Sequence, residues 1–319
     1  MSRKKASNGT RLDDAARAGW LYYVAGNTQE DIAEKMGMSR QAVQRLVSLS
    51  VSEGLVKVRL DHPIARCLDL AARVKDRCGL RFCEVVPTDP DTESSTLGVA
   101  EAGATEIERH LLSPDSRVIA IGTGRTLKAA IGLLPPITAP DKQVVSLTGN
   151  IAPDGSLAFY SAIFSMAELV TARHYLMPCP VVAASVEERD RLRDQPVIRA
   201  SLSLARHADV VFVGLGDLGP EAPLFVDGFI TPRDLQALRD AGAVGEIIGW
   251  AFDGDGRLIA CDSNARVVSA ALDWPDETLV IAMAKGERKV PGLHAVIRGK
   301  LVNGLITDEG TAIALLGEE

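Results

Sequence analysis

Two sets of residues have the types and spacing to do chemistry. The first is Arg40, Gln41, Gln44 and Arg45, which a helix would place on one face. Arginine can grip O6 and N7 of guanine with two hydrogen bonds, glutamine N6 and N7 of adenine, and either can hold a phosphate. The second set follows short apolar runs. Val118-Ile119-Ala120-Ile121 leads into Gly122-Thr123-Gly124-Arg125-Thr126, Leu147 into Thr148-Gly149-Asn150, and Val213 into Gly214-Leu215-Gly216-Asp217. Glycines let backbone N–H groups approach a ligand, and a helix that starts at such a loop favours an anion. The hydroxyls, amide and carboxyl add side-chain hydrogen bonds. This chemistry suits sugar hydroxyls or a phosphate, although a plain tight turn uses the same glycines. The first loop lacks the Gly-Lys-Ser/Thr of a Walker loop and does not fully match GxGxxG. Asp253 ends another apolar run and can accept hydrogen bonds from a sugar. The following Gly254-Asp255-Gly256 is equally turn chemistry. Lys289 opens a helix after Thr278–Met283 and can reach an anionic or hydroxylated ligand; a solvated charge run over 285–289 fits the same residues.

The first set needs a frame. Leu12, Ala15, Ala16, Gly19, Trp20, Tyr23 and Val24 recur at helical spacing and predict a first helix that ends near Gly26-Asn27. Thr28 then reads as an N-cap with Asp31 three residues on. The helix behind it carries Ile32, Ala33 and Met36 inward and stops at Gly37, where a left-handed backbone is easiest for glycine. Ser39 caps the next helix. Its inner side is Ala42, Val43, Leu46, Val47 and Ser50, and packing leaves only the polar face free. Helix, Gly37-Met38-Ser39 turn, helix is the pattern of a DNA-reading helix-turn-helix. Thr28, Gln29 and Ser39, at the two helix starts, join Arg40, Gln41, Gln44 and Arg45 as candidate DNA contacts. Leu55–Leu60 alternates apolar with basic and reads as a strand or wing with Lys57 and Arg59 outward.

The second set also needs a frame. Apolar runs at 82–86, 118–121, 144–147, 181–184, 210–213, 247–252, 278–283 and 302–306 alternate with helical patterns at 97–112, 124–134, 161–174, 188–207, 231–241 and 288–298. Fully apolar strands that alternate with helices predict a doubly wound, largely parallel α/β sheet covered on both faces. Ligands of such sheets sit at the carboxyl ends of the strands. The expected organisation is a disordered tail over 1–10, a helix-turn-helix domain over 11–60, and a linker helix plus effector domain over 61–319.

Bulk properties narrow the class. A chain of 319 residues with 46% hydrophobic and 24% charged residues is globular, and long enough for two domains. No apolar run is long enough to span a bilayer, and no signal peptide is evident, so a cytoplasmic protein with no membrane partner is expected. The five cysteines are scattered without a CxxC pair, which argues against a disulfide framework or zinc site. No cofactor or metal is expected. Residues 1–60 hold ten Lys/Arg against six Asp/Glu, whereas the remainder is acidic, so a polyanion would be met at one end.

Tyr22-Tyr23, Thr28-Gln29, Ile32-Ala33, Gly37-Met38-Ser39-Arg40, Val43, Arg45-Leu46 and Gly54-Leu55-Val56 together resemble the N-terminal domain of SorC-type regulators, bacterial sugar-responsive repressors and activators. The resemblance extends through Gly122–Thr126, Thr148-Gly149-Asn150, Gly214-Leu215-Gly216, Gly242-Ala243-Val244-Gly245, Asp253, Lys289 and Leu305-Ile306-Thr307-Asp308-Glu309. It implies an effector domain similar to the glucosamine-6-phosphate deaminase and ribose-phosphate isomerase fold. It also implies an effector role for Gly122, Thr123, Gly124, Arg125, Thr126, Thr148, Gly149, Asn150, Asp253 and Lys289. Two departures, Gly149-Asn150 where many members have Gly-Gly and Ala284–Arg288 before the lysine, leave an unphosphorylated sugar or polyol open beside a sugar phosphate. The expected protein is a homodimeric or homotetrameric regulator of a carbohydrate or polyol operon. It binds double-stranded operator DNA under control of a small effector. The alternative is a sugar-phosphate isomerase or deaminase with an accessory N-terminal domain and Asp217, Asp253 or Glu246 as base, although no His/carboxylate constellation accompanies them.

Overall fold

The computed structural model describes residues 3–56, 64–88, 96–152, 154–158 and 161–317, with residues 3–10 described by backbone alone. It divides into two compact units, residues 1–62 and 63–319.

The first unit holds three helices: α1 (Arg3–Tyr23), α2 (Gln29–Met36) and α3 (Arg40–Ser52). Helix α1 begins inside the stretch expected to be disordered, because no proline interrupts it and Arg, Lys and Ala are good helix formers. Ala15, Ala18, Ile32, Val43, Leu46 and Val47 form the small core. Gly19 is required there: a Cβ would sit 2.3 Å from Ser50 Oγ. The inward placement expected for Trp20, Tyr23 and Val24 is corrected, since all three are exposed; the buried stripe rotates to Ala15, Ala18 and Gly19.

In the second unit α4 (Ala65–Cys78) precedes β1 (Phe82–Val86), α5 (Leu97–Leu112), β2 (Val118–Ile121), α6 (Arg125–Gly132), β3 (Ile137–Ser146), α7 (Ala162–Leu169) and β4 (Val170–Tyr175). Then come α8 (Val186–Arg193), α9 (Pro196–Arg206), β5 (Val210–Gly214), α10 (Pro223–Val226), α11 (Pro232–Asp240), and the hairpin β6 (Gly245–Ile247) and β7 (Trp250–Phe252). The chain closes with α12 (Asp262–Ala265), β8 (Leu279–Met283), a 3₁₀ turn (Glu287–Lys289), α13 (Val290–Arg298), β9 (Gly304–Asp308) and α14 (Glu309–Leu316). Seven strands form one sheet in the order β1-β9-β8-β5-β2-β3-β4, every pair parallel.

Alternation along the strands builds two cores. Ile119, Ile121, Val210, Phe212, Ile281 and Met283 pack against α5, α6 and α7 on one face. Ala120, Val211, Val213, Val280, Ala282 and Leu305 pack against α4, α9, α13 and α14 on the other. The chain runs outward from β2 through β3 to β4, then returns to place β5 on the opposite side of β2. The strand order therefore reverses between β2 and β5, where a crevice opens in such sheets.

Four expected elements change. The helix over 188–207 breaks into α8 and α9, because Pro196 cannot continue the first helix and opens the second. The helix over 161–174 ends at Leu169 and becomes edge strand β4. The strand over 247–252 is instead the tight β6–β7 hairpin. The run 181–184 makes a single antiparallel bridge, Val182 to Val267, and buries as irregular chain after Pro180.

Candidate functional site

The helix-turn-helix unit is built by its caps. Thr28 Oγ1 accepts from the Asp31 N–H at 3.2 Å, and Asp31 accepts from the Thr28 N–H at 2.9 Å and from its hydroxyl at 2.7 Å. These bonds hold the Asp31 carboxyl below its ordinary range. Gly37 adopts φ 65° and ψ 34°, and Ser39 Oγ accepts from the Ala42 N–H at 3.2 Å to start α3. Arg40, Gln41, Gln44 and Arg45 are all exposed on the face away from the core. Arg40 meets Glu30 at 2.9 Å, but both side chains are over 60% exposed, so the pair adds little and yields easily to a phosphate or base. Thr28, Gln29 and Arg40 share a shallow depression at the start of α2. Lys57 and Arg59, the expected wing, lie outside the described residues.

In the second unit a cavity of about 840 Å³ opens over the carboxyl ends of the sheet, a volume in the range of small-molecule sites. Thr123, Gly124, Arg125 and Thr126 line it from the β2 end. Gly124, at φ 126°, turns the chain into α6. Gly122 supports this loop from behind: its N–H donates to Phe212 O at 2.8 Å, and it does not face the cavity. Lys289 lines the opposite wall, as expected.

Four expected effector residues lie elsewhere. Thr148 is buried and its hydroxyl donates to Gly149 O at 3.0 Å. Gly149 presses on the backbone of Cys179 and Pro180, where a Cβ would be 2.2 Å from Cys179 O. Asn150 is consumed by packing: Nδ2 donates to Ser146 Oγ and Ser161 Oγ, and Oδ1 accepts from the Met177 N–H at 2.9 Å. Asp253 accepts from the N–H groups of Asp255 and Arg257 at 2.9 Å each, and so ties its own turn. None of the four lines the cavity.

Other residues take their place. Glu246, only 8% exposed, enters from β6. Its Oε2 accepts from the Gly249 N–H at 2.8 Å, and Gly216 makes room for Oε1, since a Cβ there would sit 2.0 Å away. Burial pushes the Glu246 carboxyl up to about 7. Asp217 is pinned by the Gly219 N–H at 2.9 Å, and Asp308 caps α14 through the Thr311 N–H at 3.0 Å. Asp308 also pairs with Lys285 at 3.6 Å. Burial depresses Lys289, against the pull of Asp217 and Glu246. Burial raises Asp227, on the strap after α10, and Arg125 opposes that rise. The hairpin turn carries Ile248 at φ 47°, a left-handed conformation that costs a β-branched residue roughly 1–3 kcal/mol. Ile248 and Gly249 both face the cavity, so this strain sits at the site. Asp217 was visible in sequence as the carboxyl of a Gly-rich strand end and as a candidate base, Glu246 only as a candidate base. Asp227 had no local signal: its place depends on how the 217–231 segment folds back.

A sheet-end cavity lined by hydroxyls, carboxyls and lysines, in a chain that also carries a helix-turn-helix, is the arrangement of a ligand-sensing DNA-binding protein. Residues 62–317 match the Sugar-bind family, described as "Putative sugar-binding domain", and the chain belongs to it. The erythritol catabolism regulatory protein EryD of Brucella abortus (strain 2308) is 34% identical over 304 residues, covering 95% of this chain and 96% of its own. The transcriptional regulator LsrR of Klebsiella pneumoniae is 28% identical over 94% of this chain and 92% of its own. Among solved structures, the full-length sorbitol operon regulator SorC of K. pneumoniae superposes with TM-score 0.70 at 21% identity, over 96% of this chain and 99% of that one. The chain is thus a SorC-type transcriptional regulator. No helix among the described residues is long and apolar enough to cross a membrane, and no group of three or more His, Cys, Asp or Glu among them is placed to hold a metal ion.

Proposed function

We propose that the chain controls a carbohydrate or polyol catabolic operon. Its helical unit reads operator DNA, and a polyhydroxylated effector, a sugar, polyol or sugar phosphate, occupies the strand-end cavity. The observation that carries this reading is the division of labour: a capped helix presents Arg40, Gln41, Gln44 and Arg45 outward, and a separately folded body encloses a polar cavity at the sheet's switch point. Two such heads in a homodimer or homotetramer would meet half-sites spaced by whole turns of the duplex. The effector acts by its difference in affinity for the two states of that assembly. An isomerase or deaminase would use the same cavity, with Asp217 or Glu246 as base, but membership among regulators and the helical head favour sensing without turnover.

Gel-shift titration on the operator upstream of the chain's own operon tests the reading. Arg45→Ala should weaken specific binding by about 1–3 kcal/mol, as loss of a base contact does, and leave the thermal shift with effector intact. Unchanged operator affinity would remove Arg45 from the reading face. Turnover of a bound aldose or ketose would restore the enzyme.

A further inference from the structure

We infer that the cavity is selective for an uncharged polyhydroxylated effector and discriminates against its phosphate ester. The inference rests on the effector reading above and concerns only the ligand's charge.

The charge inventory of the cavity carries it. Asp217, Glu221, Asp227, Glu246, Glu287 and Asp308 line it, against the cations Arg125, Lys285, Arg288 and Lys289, a formal excess of two negative charges. With Glu246 protonated the excess is still one. Both lysines already face carboxylates. Lys285 is matched with Asp308 at 3.6 Å, and Lys289 stands in the field of Asp217 and Glu246. The corner best suited to an anion is the start of α6, where Gly124 opens the helix and Arg125 follows. Asp227 lines the same cavity, where burial raises its carboxyl and the Arg125 charge only opposes that rise. A phosphate dianion entering there meets this carboxylate as well as the arginine. In a partly enclosed site that repulsion is strongly felt.

The acceptors, by contrast, are prepared for hydroxyls. Asp217, Glu246 and Asp308 each spend one carboxyl oxygen on a backbone N–H, and Asp308 turns its other oxygen to Lys285, so the second oxygens of Asp217 and Glu246 remain for a ligand. Fixed carboxyl oxygens accept from neutral O–H groups with the strength of charge-assisted hydrogen bonds. Glu246 is nine-tenths buried, and Gly216 has no side chain to crowd it. Thr123 and Thr126 offer hydroxyls that give and take in turn.

The test is a calorimetric and thermal-shift panel on the full chain, pairing erythritol, xylitol and D-glucitol with their terminal monophosphates. The expected result is that at least one neutral alditol binds and raises the melting temperature, and that its monophosphate binds tenfold or more weakly. Asp227→Asn should then narrow that ratio to about threefold by removing one negative charge from the cavity wall. If Asp227→Asn does not fold, Asp217→Asn takes its place, and the wild-type ratio decides alone. A monophosphate that binds more tightly than its parent overturns the charge inference and leaves the effector cavity standing. No response to either series, in melting or in operator affinity, overturns the effector reading and this inference with it.

Discussion

The loop after β2 and the loop after β3 carry the same kinds of residue: a buried apolar strand, then threonine and glycine, then a polar group. Only the first reaches the cavity. The difference lies in the sheet, not in the loops. β2 stands beside β5, where the strand order reverses and the chains diverge above the sheet. β3 lies between β2 and β4, and its end runs beneath the 177–181 segment, which fills the space a ligand would need. Glycine serves backbone approach in both places. At Gly124 the approach is to the open cavity; at Gly149 it is to Cys179 and Pro180.

Gly149→Ala should break the comparison most severely. The new methyl would meet backbone atoms at 2.2–2.4 Å, which no rotamer can relieve. A loss of about 4 kcal/mol or more is expected, as for other severe core overpacking, and chemical denaturation of the purified chain would measure it. Gly124→Ala meets no atom within 4 Å and strains only its backbone, at φ 126° and ψ 162°, so its cost should be roughly 1–3 kcal/mol. Equal costs would refute the assignment of the two loops. Asn150→Ala comes next. It strands three buried partners, Ser146, Ser161 and the Met177 N–H, for about 3 kcal/mol in total, with effector affinity unchanged in the folded fraction.

Much of this was legible in the residues themselves. The caps at Thr28 and Ser39, the Gly37 stop and the exposed polar face of α3 are local, and local chemistry fixed them. So were β2, β5, β8 and the helices that follow them. What escaped was decided at a distance. Strand β4 follows α7 directly, with no glycine or proline from Ala162 to Tyr175, so no punctuation marked the change. Asn150 and Asp253 have the chemistry of ligand contacts, and only tertiary neighbours or a turn closure reveal that their hydrogen bonds are spent. Asp227 shows the converse, an unremarkable carboxyl brought to the site by a strap.

Glu246 sharpens the comparison from the other side. Asn150 is buried with its hydrogen bonds made, whereas Glu246 is buried with one carboxyl oxygen left for the cavity. Its folded-state value of about 7 lies above the ordinary 4.5, so the folded form favours the protonated acid. The associated stability is fully present below about pH 4.5 and is lost as pH rises through about 7. Glu246→Gln should remove that part of the slope, gaining roughly 2–3 kcal/mol on the wild type between those limits. Glu84, also raised to about 7 by burial and Glu106, keeps its own slope in both proteins, so the difference isolates Glu246. Parallel stability curves from pH 4.5 to 8 would place Glu246 in a solvated setting.

The finest distinction is between two threonines, Thr126 and Thr148, both buried and both at strand ends. The Thr148 hydroxyl has an internal acceptor, Gly149 O, whereas Thr126 faces the cavity from the first turn of α6. Each Thr→Ala change should cost stability only about 1 kcal/mol, for Thr148 chiefly its one internal hydrogen bond and for Thr126 the packing of its methyl group. Their effects on sensing should differ. Thr126→Ala should blunt the response of operator binding to effector while basal operator affinity stays normal, and Thr126→Ser, which keeps the hydroxyl, should restore it. Thr148→Ala should leave the response intact. Because the stability costs match, a difference in response reads out position relative to the cavity and nothing else. If the two alanine variants respond alike, the cavity over β2 and β5 is not where the effector binds.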